Sequence, residues 1–195
     1  SDEEIIALLY DDTRIENDWI SKHLQCLDYF NADVSAGISI SSYGSKIPEN
    51  YSYYRIADQF DTGNAVLYRY VFKKCGLFDE RYEGMRKGDA EFGLRILKNG
   101  FLSISNPEAK RLHLKYKLGG LRQMGSWDSL RPTKILYPRP IPSVLYYSRT
   151  YFGKNGAVKY LISHIPFSIT KLGGKSNKLF IIISAVISLL FFPII

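Results

Sequence analysis

Ile5-Ile6-Ala7-Leu8-Leu9-Tyr10 is an apolar run that stops at Asp11-Asp12. A short run of this kind predicts a buried strand that delivers acids at its C-terminal end. Asn17 or Asp18 can cap a helix whose apolar positions Trp19, Ile20, Leu24, Leu27 and Phe30 recur at helical spacing. Val34 to Ile40 predicts a second strand, followed by a polar, tyrosine-rich loop from Ser41 to Arg55 broken by Gly44 and Pro48. The turn Phe60-Asp61-Thr62-Gly63-Asn64 leads into an apolar stretch from Ala65 to Phe72. After Gly76-Leu77-Phe78-Asp79, residues Asp89 to Asn99 predict a helix with Phe92, Leu94, Ile96 and Leu97 apolar and Gly100 as its stop. Phe101 to Ile104 predicts another short strand. Residues 106–143 are basic and rich in Pro and Gly, which predicts a long mobile connection. Residues 144–172 mix aromatics, aliphatics and cations, a pattern of interfacial helices on a membrane, although Gly153, Gly156 and Pro166 interrupt it. No internal repeat is visible.

The last 17 residues, 179–195, carry no charge and are interrupted only by Ser184, Ser188 and Pro193. As a helix they reach roughly 25 Å, against a bilayer core of about 30 Å. They predict a transmembrane segment, and Lys171, Lys175 and Lys178 before it place the preceding domain on the cytoplasmic side. No signal peptide is recognisable at the start. The whole chain has 195 residues and a net charge of +7, but the charge is unevenly spread. Residues 110–178 hold 14 Lys and Arg against one acid, Asp128, whereas residues 1–109 are net acidic. The basic region fits an anionic lipid surface; the adjacent apolar tail argues against nucleic acid as the partner. With 46% hydrophobic and 14% aromatic residues the chain is no disordered polypeptide. Cys26 and Cys75 form neither a disulfide scaffold nor a zinc motif, and read as buried free thiols.

Three clusters could carry chemistry. Asp11-Asp12 at a strand end suits Mg²⁺ or Mn²⁺ shared with substrate phosphates, or is simply a turn pair. Asp89 and Glu91 open a helix, where a carboxylate either serves as general base toward a hydroxyl or merely complements the helix dipole. His113, in Arg111-Leu112-His113-Leu114-Lys115, either completes a metal shell or packs between leucines. Gly119-Gly120-Leu121-Arg122 follows it as a phosphate-compatible segment, while His23 and His164 read as structural or interfacial.

The succession Tyr10-Asp11-Asp12-Thr13 with Trp19, then Phe60-Asp61-Thr62-Gly63-Asn64, then GLFDERYEG and GDAEFGLRILKNG, then His113 with GGLR, resembles family 2 glycosyltransferases of the GT-A fold. The resemblance covers roughly residues 5–125. It implies an inverting sugar transfer from a nucleotide-sugar donor to a glycan or lipid-linked acceptor, in cell-surface polysaccharide or glycolipid synthesis. By the same resemblance Asp89 is the catalytic base, and Asp12 and His113 hold Mn²⁺ or Mg²⁺. Asp11 and Arg122 face the donor diphosphate, Thr62, Gly63 and Asn64 form part of the acceptor wall, and Glu91 positions the acceptor or the helix start. Two details differ from the family pattern: Tyr10 stands where a first aspartate is usual, and Gly88 precedes Asp89 where a glutamate is usual.

The family sets a nucleotide-binding half before its aspartate motif, and here that motif begins at position 10. The expected fold is therefore α/β, an incomplete GT-A domain lacking its N-terminal strands over residues 1–125. A basic membrane-proximal region over 126–178 and a transmembrane helix over 179–195 follow. A missing N-terminal half is an expected partner, and the isolated chain is expected to be inactive. The alternative is a non-catalytic membrane-surface module or an inactive transferase remnant.

Overall fold

The structure, a computed structural model, describes residues 4–41, 47–83, 85–114 and 142–164, together with Ile182, Ile183, Val186 and Leu190. It divides into two units, Ser1–Asp79 with Gly88–Tyr116 and Glu80–Lys87 with Lys117–Ile195.

The first unit is a mixed α/β fold around a six-stranded sheet. Its strands are β1 (Ile5–Leu9), β2 (Thr13–Ile15), β3 (Val34–Ser41), β4 (Arg55–Ile56), β5 (Asn64–Tyr68) and β6 (Ser103–His113). They run in the order β1-β5-β3-β6-β2, with β4 also paired to β6. Only β3 and β6 are parallel; the other pairs are antiparallel. Helix α1 (Trp19–Phe30) packs Trp19, Cys26 and Leu27 with Ala32, Val66, Ile104 and Ala109. Helices α2 (Arg69–Cys75) and α3 (Gly88–Lys98) close a second cluster of Val34, Leu67, Val71, Phe92 and Ile96. The apolar spacing read from the sequence thus produces α1, β3 and α3 much as expected; β1 forms too, but it stands at the end of the strand order and none of its residues is fully buried, which corrects the expectation of a buried strand there. Both cysteines are free, Cys26 buried and Cys75 half-buried.

Of the strand expected at Phe101–Ile104, only Ser103 and Ile104 are strand; they open β6, which continues through His113. The basic stretch beginning at residue 106 therefore starts as sheet. The register explains why the pattern hides it. Gly37 pairs with Asn106 but Ile38 pairs with Lys110, so residues 107–109 bulge out and shift the inward-outward phase. Asn106 accepts the backbone N–H of Glu108 at 3.0 Å and so turns the bulge. A Cβ on Gly37 would lie 2.2 Å from the Ala109 carbonyl, so the bulge requires glycine on its neighbour. Between Leu9, paired with Asn64, and Thr13, paired with His113, residues Tyr10–Asp12 carry the chain from the β1 edge to β6. The acids are thereby laid across one end of the sheet.

In the second unit, α4 (Pro142–His164) is two helical pieces merged across Gly153, whose φ is 69°. Arg81 lies 4.5 Å from the Tyr146 ring centre and Lys87 5.1 Å from that of Tyr147, cation–π contacts within this unit. Among the described residues no helix is long and apolar enough to cross a membrane. The transmembrane expectation for 179–195 falls almost wholly outside the described residues; Ile182, Ile183, Val186 and Leu190 are helical and exposed.

Candidate functional site

Asp89 sits in the first turn of α3. The helix reaches this position because Gly93, one turn later, lets it lie on the backbone of Asp58, whose carbonyl would be 2.6 Å from an added Cβ. The Thr62 hydroxyl donates to Asp89 Oδ1, and the Tyr10 hydroxyl lies 3.4 Å from both carboxylate oxygens. Burial holds the Asp89 carboxyl above the usual range, and the charge of Asp61 adds to this. The Thr62 and Tyr10 hydroxyls and the Arg111 guanidinium offset part of that rise. A carboxylate so placed is a stronger base than an exposed one and still accessible, since Asp89 is half-buried.

Tyr10 is held in turn. Its N–H donates to Gly63 O at 3.3 Å, and the Arg111 guanidinium lies 4.9 Å from its ring centre. Its phenol is raised well above the ordinary value by burial of the hydroxyl end and by Asp89, although the residue is 40% exposed overall. Gly63 lies directly beneath the ring, where an added Cβ would be 2.4 Å from its carbons. Gly63→Ala should therefore push Tyr10 off Asp89 and Arg111. The expected result is about a tenfold loss of turnover with a melting temperature close to wild type. Unchanged turnover would show that Tyr10 does not serve Asp89.

Behind Tyr10 is a buried ion pair that the sequence did not disclose. The Arg111 side chain is 0% exposed and donates to Asp61 Oδ2 at 2.5 Å and to Ser39 Oγ at 2.7 Å. Asp61 also accepts from Ser39 at 2.7 Å and from Gly63 N–H at 3.0 Å. Asp61 and Arg111 act electrostatically on both Asp89 and His113. The one available signal was parity: Arg111 and His113 stand two apart on one strand and so share a face.

His113 Nε2 and Asp12 Oδ2 meet at 3.0 Å, both side chains about a fifth exposed (23% and 22%). Burial, with the Arg111 charge, lowers the His113 pKa despite the opposing pull of Asp12, so the imidazole is neutral at pH 7. A neutral imidazole and a carboxylate at this distance are donor types that Mn²⁺ or Mg²⁺ accepts. Among the described residues no group of three or more His, Cys, Asp or Glu is gathered in this way. Asp11 is exposed in the turn beside them.

Two residues expected beside the acceptor are bound within the fold. Asn64 is 0% exposed and makes four hydrogen bonds. Its Oδ1 accepts from Trp19 Nε1 at 2.8 Å and faces His23 Nε2 at 3.4 Å, while its Nδ2 donates to Ile38 O and Ala109 O on either side of the bulge. His23 is structural, as read from sequence: its Nδ1 meets Ser35 Oγ at 2.7 Å, and burial pushes its imidazole down to about 4. Glu91 is 5% exposed and bound at both oxygens by Arg95, at 2.9 and 3.0 Å. Arg95 in turn donates to Cys75 O at 2.6 Å, tying α3 to the end of α2. The side chain of Asn64 is thus spent inside the sheet, and Glu91 holds the start of α3, one of the two roles expected of it. Thr62 is buried but reaches Asp89, and Gly63 carries Tyr10. Arg122 lies outside the described residues.

No protein-family model matches the chain, and no curated protein matches it.

Proposed function

We propose that this chain carries the acceptor-activating end of an inverting, metal-dependent glycosyltransferase of the GT-A type. The observation that supports it best is the convergence, at one end of the sheet, of a half-buried carboxylate and an Asp–His pair from distant parts of the chain. Tyr10 hydrogen-bonds Asp89 and stands two residues before Asp12, which meets His113. In this reading Asp89 takes the proton of an acceptor hydroxyl as that oxygen attacks the anomeric carbon of a nucleotide-sugar. Thr62 and Tyr10 orient the carboxylate, and the Arg111–Asp61 pair fixes the floor beneath them. Asp12 and His113 would hold Mn²⁺ or Mg²⁺, which neutralises charge on the departing diphosphate when bound. In this reading Asp11, exposed in the same turn, contacts the donor diphosphate. The acceptor is a glycan or lipid-linked glycan, reached from the cytoplasmic face of a membrane that the basic region binds.

The test is transfer by the full-length gene product from a panel of nucleotide-sugars, read as nucleoside diphosphate released with and without Mn²⁺. Cation-dependent release with one donor is expected; no release with any donor would reject the reading. Mn²⁺ affinity, followed by electron paramagnetic resonance, should fall at least about tenfold in Asp12→Ala and in His113→Ala. An unchanged Mn²⁺ titration in His113→Ala would leave that histidine a packing residue.

A further inference from the structure

Next to the acid-bearing end of the sheet lies a cleft of about 410 Å³. Its lining includes Ser39 of β3, Tyr51 before β4, Arg55 of β4, and Gln59, Phe60 and Asp61 before β5. We propose that this cleft binds one neutral pyranose ring, with Tyr51 as the apolar platform and Gln59, Ser39 and Asp61 as partners for its hydroxyls. Naming that ring the acceptor rests on the transferase reading above; the binding itself does not.

The size falls in the range of small-molecule sites, about 300–1,000 Å³. The chemistry narrows the ligand. A sugar ring offers a patch of C–H on one face and hydroxyls around its rim. It is matched by an aromatic ring beside a few uncharged or neutralised polar groups. Tyr51 supplies the ring, and the Arg55 guanidinium, 5.0 Å from its centre, holds it in place. Arg55 is otherwise committed, with Nε donating to Asn50 O at 2.9 Å and Nη1 to Ile56 O at 3.2 Å. Asp61 is neutralised by Arg111 yet keeps lone pairs for hydroxyl donors.

Chain continuity links the cleft to the base. Asp61 is in the cleft wall, and the next residue, Thr62, donates its hydroxyl to Asp89. Adjacent Cα atoms are about 3.8 Å apart. A ring held by Asp61 is thus one residue along the chain from the hydroxyl that orients the base, and Asp61 is near enough for its charge to act on the Asp89 carboxyl.

The experiment is saturation-transfer NMR on the full-length protein with a panel of methyl hexopyranosides and no donor present, with uridine as competitor. At least one glycoside should bind saturably, with its C–H face most strongly saturated. Tyr51→Ala should weaken that binding about tenfold, and Tyr51→Phe should retain it. Circular dichroism and melting curves matching wild type establish that both variants fold. No saturable glycoside binding, unchanged binding by folded Tyr51→Ala, or full displacement by uridine would overturn the proposal. The outcome is separable from the transferase reading. Donor-dependent transfer without binding in this cleft rejects the cleft alone, whereas glycoside binding without transfer keeps the cleft and rejects the reaction.

Discussion

Asp89→Asn is expected to lower turnover by about 10²–10⁴-fold, the usual contribution of a positioned general base, while leaving the protein at least as stable as wild type. The two effects have one origin. Burial raises the Asp89 carboxyl pKa in the folded state, so folding disfavours its ionised form. That penalty is carried above the ordinary carboxylate range, pH 7 included. It disappears once the pH falls below the ordinary carboxylate value of about 4, where the unfolded chain also holds the proton. Asparagine carries no charge at any pH and can still accept from Thr62. Its melting temperature should therefore equal or exceed wild type at pH 7, with the advantage vanishing in acid. The wild-type pH–rate profile should show its acid limb above pH 4, in the direction of the raised pKa. Near-normal turnover, or a variant clearly less stable at pH 7, would remove Asp89 from the role of base.

The largest stability effect is expected at Asn64→Leu. Leucine fills a similar volume but withdraws the partners of Trp19 Nε1, His23 Nε2, Ile38 O and Ala109 O together. Each buried group left unpaired costs about 1–3 kcal/mol, so a loss of at least about 4 kcal/mol follows. That is a large share of the about 5–15 kcal/mol by which a domain is stable. Urea unfolding of the full-length protein measures it. A loss below about 1 kcal/mol would mean that water replaces the amide and that the bulge does not depend on Asn64.

The elements that could be read from sequence are those whose burial is carried by apolar side chains at a regular period. Ile5–Leu9, Val34–Ile40 and the stripe from Trp19 to Phe30 announce themselves because apolar residues dominate them, although His23 and Ser35 are buried among these and Ile20 and Leu24 are exposed. The rest escaped for identifiable reasons. β2 and β4 are three and two residues long, too short to show any period. β6 changes phase at the bulge, and beyond it the buried position is Arg111, a charge that only a partner 50 residues away in sequence makes tolerable. The site divides in the same manner. Asp12, Asp89 and His113 were legible as chemical types in a recognisable order. The Asp61–Arg111 pair and the aim of Tyr10 at Asp89 depend on which strands become neighbours. Asn64 shows the converse error: a polar residue in a promising motif was given to a ligand, whereas the sheet had already taken all four of its hydrogen bonds.

The turn from β1 to β2 has a mechanical consequence. Its residues Tyr10–Asp12 are held at both ends by sheet pairing, Leu9 with Asn64 and Thr13 with His113, and the turn is closed on itself where the Thr13 hydroxyl donates to Tyr10 O at 2.6 Å. Tyr10 N–H and Asp12 O are bonded outward as well, to Gly63 O and Leu114 N–H. A long surface loop can fold over its ligand at the expense of its own torsions; a three-residue turn pinned in this way has few torsions to spend. The aspartates move only as far as the sheet bends, so a ligand must come to them.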